Sequence, residues 1–476
     1  MKRTILYLLI AAQLASLASC GGSETAPETT DAPTTTYSET TSYYDTLGDI
    51  PDFGGVDYTI LSRSTVLWES YVEEETGEVV DDAVHRRNRI VSETLNVNIK
   101  SLDATGTWGD RQIFVDRVTN SIMAGDDEFQ LILGCMSYMN GTIMSDLYTN
   151  IASLPNLNLE NPWWYQGYND NMTINGKLYS AMGDLCQSAL SFAYTTYAND
   201  TLLVQYGYKK DDLYALVRDG KWTFDKLTAM AKTVTNDLDG NGVYDENDLY
   251  GLGAYYMSVR SMANAFGIDY VTKDDDGIPQ LSVWGDRFVE VFETINEGCS
   301  SNWWFTESNS EMFSEDKLLF YMDYLSMAGN LRDMKSEFCV LPMPKFDEAQ
   351  KNYRTEASDS SSVIFVPKTV QDTELAGYML EFLNYESYNT VTPAYFETSM
   401  QIKVARDEDS REMMEIIRDS FNFNFGYCFS NAIGGWVMGA LMQKAMDTPD
   451  AASTWASNEG AYETGLAKVV KYYMEG

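Results

Sequence analysis

Hydrophobic residues in the first part of the chain alternate between the spacing of strands and the spacing of helices. Tyr58-Thr59-Ile60-Leu61 predicts a strand, and Val97 with Ile99 predicts the next one. Between these strands, apolar residues repeat along one helical face, which also carries Asn88: Val80, Val84, Val91 and Leu95. A strand, an amphipathic helix and a second strand are therefore expected in this order.

The same alternation continues downstream. A second helix, ended near Gly125, is indicated by three apolar residues on one face: Phe114, Val118 and Ile122. The apolar run at residues 130–133 then predicts a buried strand. A β-α-β-α-β order is typical of a mainly parallel sheet covered by helices, in which ligands bind beyond the carboxyl ends of the strands. The loops with Trp68 and with residues 136–138 follow predicted strands, so we expect them at such a cleft.

A second region of alternating elements opens near Tyr194. Thr223 has the residue type and position of an N-cap. The helix after it has a buried face made of Phe224, Leu227, Ala231 and Val234. The remaining predicted elements are a late strand and three helices, at residues 361–367, 374–383, 410–421 and 466–474.

The N-terminus has the layout of a secretory signal. Lys2 and Arg3 precede a short apolar run at residues 5–14, which is followed by small residues. A membrane-spanning helix needs ~20 apolar residues, so this run is too short to be one. Leu17-Ala18-Ser19-Cys20 resembles a bacterial lipobox, which implies that Cys20 is lipidated and becomes the first mature residue. The alternative is an ordinary signal cleavage near Ala18.

A polar segment follows the signal. Half of residues 23–46 are Ser or Thr, several others are acidic, and none is Lys or Arg. Such a composition predicts a disordered linker. We therefore expect a signal peptide at residues 1–19, a lipid-anchored linker at 20–52, and a folded part long enough for two domains.

The charge and the cysteines exclude several classes of protein. The formal net charge is −38, with 33 basic against 71 acidic residues, so no basic surplus exists to bind nucleic acid. Five cysteines remain besides Cys20. Their number is odd and no CxxC pair occurs, which argues against a disulfide scaffold and a zinc ribbon.

Signatures of common enzyme classes are missing. His85 is the only histidine, and its neighbours Arg86 and Arg87 predict a surface position on a helix. A single histidine excludes an HExxH zinc site and argues against a Ser-His-Asp triad. No P-loop and no GxSxG motif occurs. A pair of carboxylates for glycoside hydrolysis stays open among 71 acids.

Residues 237–248 follow the spacing of a calcium-binding loop. Gly242 occupies the position of the sharp turn, and the carbonyl of Val243 would supply the ligand at position seven. Oxygen-bearing side chains occupy positions one, three, five, nine and twelve: Asp237, Asp239, Asn241, Asp245 and Asp248. We expect a structural Ca²⁺ site with a dissociation constant of ~10⁻⁴–10⁻³ M. The alternative is a plain Asn/Gly turn.

Five short segments occur in a characteristic order: the lipobox, Asp82-Ala83-Val84 with Arg87-Asn88, and residues 175–179, 222–227 and 341–347. Together they resemble the extracellular solute-binding lipoproteins of sugar ABC importers, the maltose-binding-protein-like family 1. The resemblance implies an α/β protein with a two-lobe, periplasmic-binding-protein-like fold of type II. Each lobe would be a mostly parallel sheet flanked by helices, with the ligand cleft between the lobes.

The resemblance also implies that the chain crosses between the lobes. Crossings are expected near residues 184–194, 356–362 and 404–410. One lobe would consist of residues 53–188 with 360–406, and the other of residues 189–359 with 407–476. The cleft would close over its ligand by hinge bending.

Aromatic rings match the C–H faces of sugars, and carboxylates match their hydroxyl edges. By correspondence with the cleft loops of the family, the candidate ligand-binding residues are Trp68, Tyr138, Tyr256, Tyr324 and Trp436. Trp303 is a further candidate, and Asp184, near the first crossing, would accept a hydroxyl proton. The alternative for each is a core aromatic or a surface carboxylate.

The resemblance implies a lipid-anchored monomer on the extracytoplasmic face of the cell membrane. It would capture a sugar or oligosaccharide without catalysis and deliver it to the transmembrane subunits of an ABC permease. Two alternatives from other classes stay open at this point. One is a surface polysaccharide-active lipoprotein such as a glycosidase, and the other is a calcium-dependent surface binding protein.

Overall fold

The computed structural model describes residues 42–47, 49–401, 408–434 and 440–475. The predicted signal peptide, Cys20, most of the linker and Trp436 lie outside the described residues. Inside the predicted linker, Tyr43–Thr46 forms a short 3-10 helix in place of irregular chain, because the Asp45 carboxylate accepts a hydrogen bond from the Ser42 amide at 3.0 Å. All elements below belong to a second unit, Pro51–Gly476.

The first sheet has four strands in the order β11-β3-β1-β2. β1 is parallel to β2 and to β3, as the β-α-β-α-β pattern predicts, with Tyr58 opposite Ile99 and Ile60 opposite Leu131. β11 comes from far along the chain and runs antiparallel to β3. The bounds of these strands are Val56–Arg63 (β1), Val97–Ala104 (β2), Leu131–Cys135 (β3) and Ser362–Phe365 (β11).

The helix Val79–Leu95 buries two polar residues on its inner face, Arg87 and Asn88. Both Nη atoms of Arg87 donate to backbone carbonyls, of Glu69 and Ser70, at 2.9 Å, and Asn88 Nδ2 also donates to Ser70 at 2.9 Å. Buried polar groups need such partners, so these bonds fix the 3-10 helix Ser64–Glu69 that follows β1.

His85, on the same helix, is half-buried and not on the open surface as expected. Its Nδ1 lies 3.2 Å from the carbonyl oxygen of Val72. Val72, in the segment before the helix, lies against the His85 ring. The helical pattern alone does not predict this contact.

The second sheet has five strands in the order β10-β4-β9-β5-β8. β4 is antiparallel to both of its neighbours, whereas β5 is parallel to β9 and β8, so this sheet is mixed. Its strands are Tyr194–Asn199 (β4), Tyr250–Ala254 (β5), Trp304–Phe305 (β8), Leu318–Tyr324 (β9) and Phe338–Pro342 (β10). A separate hairpin pairs β6, Val271–Lys273, with β7, Pro279–Leu281.

The helix Phe224–Val234 covers the second sheet. Its N-cap is Thr223, as predicted, and the Thr223 hydroxyl accepts from the Lys226 amide at 3.4 Å. The Phe224 amide donates to the carbonyl of Lys345 at 2.7 Å, and the Lys345 amide donates to Trp222 at 3.1 Å. Two of the sequence segments that carried the family resemblance, residues 222–227 and 341–347, therefore pair with each other.

The chain passes between the two sheets at least twice. It leaves the first sheet after Ala181, enters the second at Tyr194, and returns between Pro342 and Ser362. These passages cover the first two predicted crossings. The third, near residues 404–410, lies mostly outside the described residues, and the boundaries of the lobes stay a prediction.

The two passages run side by side. The Tyr194 amide donates to the carbonyl of Glu356, and the Ser358 amide donates to Phe192, both at 3.0 Å. Backbone hydrogen bonds therefore join the outgoing and returning segments where they pass between the sheets.

Helices cover both sheets and form the C-terminal part of the chain. In addition to the two named above, the α-helices are Arg111–Ala124, Met136–Met139, Gln166–Met172, Gln187–Ser191, Asp200–Gln205, Lys210–Arg218, Tyr256–Ala265, Asp286–Cys299, Ser310–Ser314, Thr373–Glu386, Thr392–Gln401, Glu408–Asp419, Phe425–Cys428, Ala451–Ala456 and Glu459–Glu475. A π-helical turn, Ser387–Val391, joins two of them. Among the described residues, no helix combines the length and apolarity needed to cross a bilayer.

Candidate ligand-binding cleft

A cleft of 640 Å³ opens where strands from both sheets end. The first sheet contributes Arg63 at the end of β1, residues 106–108 after β2, Cys135 at the end of β3, and Ser137 and Tyr138 after it. The second sheet contributes the start of the helix Tyr256–Ala265, which follows β5. The inter-sheet passages close the floor with Phe192, Asp359 and Ser360. This is the position at which open α/β sheets bind their ligands.

Two aromatic side chains line the cleft with much of their surface exposed. Trp108 is 49% exposed and Tyr256 is 44% exposed. Trp108 stacks against Arg111, with 4.2 Å from the guanidinium carbon to the ring centroid, and Tyr256 packs edge-on against Tyr255. Exposed aromatic faces beside a cavity are the groups that a flat, apolar ligand face would cover.

Gly106 allows the loop after β2 to approach the rest of the cleft. A Cβ atom at this position would lie 2.8 Å from both Arg63 Cγ and the Tyr138 hydroxyl. The Tyr138 hydroxyl also donates to the Gly106 carbonyl at 2.9 Å. Tyr138 is therefore a wall of the cleft whose hydroxyl is already bonded to the protein.

Two arginines line the cleft from opposite sheets. Arg63 is only 4% exposed, and its Nη2 donates to the Ser360 carbonyl at 2.7 Å and to the Ser362 hydroxyl at 3.1 Å. Arg260 is half-buried, lies 5.2 Å from the Tyr256 ring centroid, and donates from Nε to Gln443 at 2.9 Å. Both guanidinium groups are thus held in fixed positions.

Asp359 is the acidic residue among the described lining residues, and it is almost fully buried. Burial raises the pKa of Asp359 to about 7, and the charge of Arg260 opposes that rise. The buried neighbour Glu356 has its pKa raised well above the usual range by burial and by Asp359. The carboxyl groups beneath the cleft are therefore largely protonated below neutral pH.

A second hollow of 720 Å³ lies between the helices Lys210–Arg218 and Glu408–Asp419 and residues 351–354. Its main cations already have partners: Arg218 pairs with Asp409 and Glu412, and Arg354 pairs with Asp269 at 2.8 Å. The cleft at the strand ends is therefore the better candidate for a binding site.

Neither a protein-family model nor the sequence of a curated protein matches this chain. Solved structures do match it. An extracellular solute-binding protein from Staphylococcus aureus in complex with maltose superposes with a TM-score of 0.57 at 10% identity, over 87% of this chain and 98% of that chain. A cyclic alpha-maltosyl-1,6-maltose binding protein from Arthrobacter globiformis gives 0.55 at 15% identity, over 89% and 100%. An ABC substrate-binding protein from Listeria monocytogenes in complex with cycloalternan gives 0.53 at 12% identity, over 86% and 99%.

The chain has the fold of the ABC substrate-binding proteins. The match spans nearly the whole of each of those proteins, so both lobes are included. The predicted two-lobe α/β fold is thereby confirmed. At these identities the likeness concerns the fold, and the ligand has to be argued from the residues of this cleft.

Within the substrate-binding-protein fold, two of the candidate residues line the cleft directly, Tyr138 and Tyr256. Tyr324 lies behind them, with its ring centroid 5.7 Å from that of Phe192. Trp68 is half-buried on the 3-10 helix Ser64–Glu69 and does not belong to the described lining of the cleft. Trp436 lies outside the described residues.

The structure places Trp303 away from the cleft, so we withdraw it as a ligand-binding candidate. Its ring lies 5.7 Å from Trp304 and 6.3 Å from Phe224, and Lys232 covers it at 5.7 Å. The side chain is buried between the second sheet and the helix over it. Trp303 and Trp304 therefore pack against each other and against Phe224 in the core.

Asp184 is also withdrawn as an acceptor for a ligand hydroxyl, because the protein itself uses its carboxylate. Asp184 is fully buried and forms an ion pair with Arg418, whose Nε lies at 3.1 Å and whose Nη2 also donates. Thr392 donates to the same carboxylate at 2.8 Å, and the Tyr165 hydroxyl at 3.4 Å. This cluster joins the first passage to two late helices.

The cleft residues that sequence reasoning missed include Arg63, Trp108 and Arg260. Trp108 follows the strand at Val97 and Ile99 in the same way that Trp68 follows the strand at Tyr58. The loop after β2 therefore carried the same signal as the loops that we did consider. The arginines carried no comparable signal, since a charged residue at a strand end or on a helix is ordinary surface chemistry.

Residues 237–248 form a closed loop between the helix Phe224–Val234 and β5, with Asn236 bridged to Leu249 at its base. Three of its carboxylates present oxygen atoms within 4.8 Å of one another: Asp237, Asp239 and Asp248. Gly242 has a φ of +80° and donates its amide to Asp237 at 2.8 Å, which lowers the pKa of Asp237. Asn241 and Asp245 accept from amides inside the loop.

The five described cysteines are free thiols, and all but Cys299 are buried. Burial raises the pKa of Cys299 to about 12. Because thiolates are the reactive form of cysteine, buried thiols with raised pKa values are poor nucleophiles. The cysteines therefore act as small core residues in this fold.

Proposed function

We propose that this protein captures a carbohydrate in the cleft at the strand ends and delivers it to an ABC permease. The observation that carries the proposal is the pair of exposed aromatic rings, Trp108 and Tyr256, in the cleft of a substrate-binding-protein fold. The structures with this fold include proteins solved with maltose and with cycloalternan. A ring stacked on the face of a pyranose is the usual way in which such a cleft would hold a sugar.

Capture would require no chemistry. A glycosidase needs two carboxyl groups that face the scissile bond. Among the described residues that line the cleft, Asp359 supplies one, and its neighbour Glu356 is buried beneath the floor. A binding protein is therefore favoured over the glycosidase alternative. Turnover of a chromogenic glycoside that Asp359→Asn abolishes would reverse this preference.

The proposed location rests on the N-terminal sequence. The lipobox-like Leu17-Ala18-Ser19-Cys20 and the acidic linker after it support a lipid anchor at the extracytoplasmic face of the membrane. Tethering would hold the binding protein close to its permease and keep its effective concentration there high. Loss of membrane association in a Cys20→Ser variant, with binding unchanged, tests the anchor.

We expect isothermal titration against a panel of mono- and oligosaccharides to find at least one ligand. Trp108→Ala should then weaken binding of that ligand roughly tenfold, because about 1.4 kcal/mol of apolar contact is lost. Trp284→Ala is the matched control, since Trp284 is 45% exposed and lies outside the cleft lining. If no saccharide in the panel gives a measurable binding heat, the proposed function is contradicted. Equal loss in both variants would contradict the proposed position of the site.

We further propose that residues 237–248 bind Ca²⁺ and stabilise the second lobe. Asp237, Asp239 and Asp248 would supply carboxylate oxygens, and the carbonyl of Val243, at position seven of the loop, would supply a further oxygen. Oxygen ligands of this kind suit a hard cation such as Ca²⁺. The metal would supply positive charge that holds the loop closed against the mutual repulsion of its acids.

Calcium at about ten times its dissociation constant should raise the free energy of unfolding by about 1.4 kcal/mol. Thermal unfolding in calcium and in EDTA measures this difference. Asp239→Ala should remove the response. Asp275→Ala, in the acidic turn at residues 274–276, is the matched control and should keep it. If the native protein has the same melting temperature in calcium and in EDTA, the proposed Ca²⁺ site is wrong.

A further inference from the structure

The cleft concentrates positive charge in a protein that is otherwise strongly acidic. The formal net charge of the chain is −38, yet two of the residues lining the cleft are Arg63 and Arg260. Within the described part of the chain, neither guanidinium forms a salt bridge with a carboxylate. Their hydrogen bonds go to neutral acceptors, the Ser360 carbonyl and Ser362 hydroxyl for Arg63 and the Gln443 amide oxygen for Arg260.

Arg63 is the more deeply buried of the two arginines. It is 4% exposed, and its Nε has no hydrogen-bond partner among the described residues. Burying a charged group without a paired acceptor is costly. Burial raises the pKa of the nearby Glu69, Arg63 opposes that rise, and Glu69 also attracts Arg87. Because burial raises the pKa of Glu69, this acid is only a partial countercharge for Arg63 and Arg87.

Arg260 lines the same cleft on the helix after β5, and its charge is only partly neutralised. Asp359 attracts it, but burial raises the pKa of Asp359 to about 7. Near neutral pH about half of the Asp359 carboxyl groups are therefore protonated. Glu356, which lies next to Asp359, is held in its neutral form still more strongly by burial. The two buried acids at the floor of the cleft therefore offset the charges of Arg63 and Arg260 only in part.

We propose that the ligand is an anionic saccharide, whose carboxylate or sulfate group lies between Arg63 and Arg260 while a ring face covers Trp108 or Tyr256. This inference rests on the proposed carbohydrate-binding function and names its substrate class. Guanidinium groups form short, charge-assisted and often bidentate hydrogen bonds with carboxylates and sulfates. A neutral sugar would offer only hydroxyl oxygens, and the surplus charge in the cleft would stay uncompensated.

The test is isothermal titration of the full chain with pairs of saccharides that differ only in charge. Trigalacturonate is paired with its methyl ester, further uronate oligomers with theirs, and sulfated oligosaccharides with their unsulfated forms. At least one anionic probe should bind at least about tenfold more tightly than its neutral partner. Preference in the uronate arm assigns a carboxylate, and preference in the sulfated arm assigns a sulfate.

Arg260→Gln should reduce that preference to about threefold or less, whereas Arg260→Lys should keep part of it. Arg332→Gln is the matched control, because Arg332 is exposed and outside the cleft lining. Arg260 is only half-buried, so its replacement is a safer test than a change at the buried Arg63. A melting curve for each variant separates lost binding from lost folding.

The outcomes separate this inference from the proposed function. If neutral sugars bind as tightly as their charged partners, or more tightly, the anionic ligand is wrong and carbohydrate binding stands. If Arg260→Gln leaves the preference intact, the charge is recognised elsewhere and the assigned site is wrong. If no saccharide of either kind binds, the proposed function fails together with this inference.

Discussion

Replacing Arg418 with methionine is expected to lower the free energy of unfolding by about 3–5 kcal/mol. Asp184 is fully buried, and its main partner Arg418 is 9% exposed. Without Arg418, the Asp184 carboxylate would keep the weaker bonds from Thr392 and Tyr165 and would lack a countercharge. A buried charge without its partner is among the costliest single changes in a folded protein.

The loss would include more than the ion pair. Arg418 also donates to the Pro162 carbonyl at 2.9 Å, and its guanidinium carbon lies 4.8 Å from the ring centroid of Tyr388. The side chain thus joins segments that are far apart in sequence. Cooperative unfolding of the whole second unit should become easier, not only local fraying.

Urea unfolding followed by tryptophan fluorescence measures the effect as a change in free energy. Arg411→Met is the matched control, because Arg411 lies exposed on the same helix, Glu408–Asp419. Adding Asp184→Asn to Arg418→Met should restore part of the loss, since the lone charge disappears. A cost below about 1 kcal/mol for Arg418→Met would show that the pair contributes little.

Asp359→Asn is expected to make the protein more stable above pH 7, by up to about 4 kcal/mol. The ordinary pKa of this carboxyl is 3.8, and burial raises it to about 7 in the folded protein. Between these two values the folded state holds a proton that the unfolded chain has released. Stability therefore falls as the pH rises through this window. Asparagine has no such proton, so the variant avoids the loss.

The groups that face Asp359 come from several elements and set the size of the effect. They are Cys135, Arg260, Tyr324, Glu356, Tyr427 and Cys428. Burial disfavours the charged form of Asp359, whereas Arg260 favours it. Because Glu356 is present in both proteins, the difference between them reports mainly on Asp359.

Chemical denaturation between pH 4 and pH 9 tests this expectation. The gap between Asp359→Asn and the native protein should open above about pH 4 and level off above about pH 7. Asp126→Asn, at an exposed position, should show no such gap. A difference that does not depend on pH, or a native protein that is more stable at pH 8, would contradict the raised pKa.

The fold was largely predictable because its elements follow simple hydrophobic periods. The strand expected at Tyr58 to Leu61 is the centre of Val56–Arg63, and the helical face that includes Val84 and Val91 is buried as expected. The two-lobe arrangement came from the family resemblance. Periodicity did not reveal that the second sheet is mixed, since it does not tell a strand's direction.

The cleft was only partly predictable. Tyr138 was found because its loop follows a strand, and Tyr256 was found by correspondence with the cleft loops of the family. The strand-end reasoning applied to the loop after β2 would also have found Trp108. Arg63 was beyond reach, because its burial depends on Ser360 and Ser362, which come from far along the chain. The role of Asp184 was predicted wrongly for the same reason, because its partner Arg418 lies 234 residues away in the sequence.

Strand β11 decides the order in which the two sheets can be completed during synthesis. The first sheet pairs Ser362 with Cys135, and the whole of β4 to β10 lies between them in the chain. A nascent chain that emerges from the ribosome can therefore finish the second sheet while β3 still has an open edge. Unpaired strand edges invite pairing with other chains. The first sheet to be started is thus the last to be completed, and a chaperone that protects this protein during synthesis would have to cover the edge of β3.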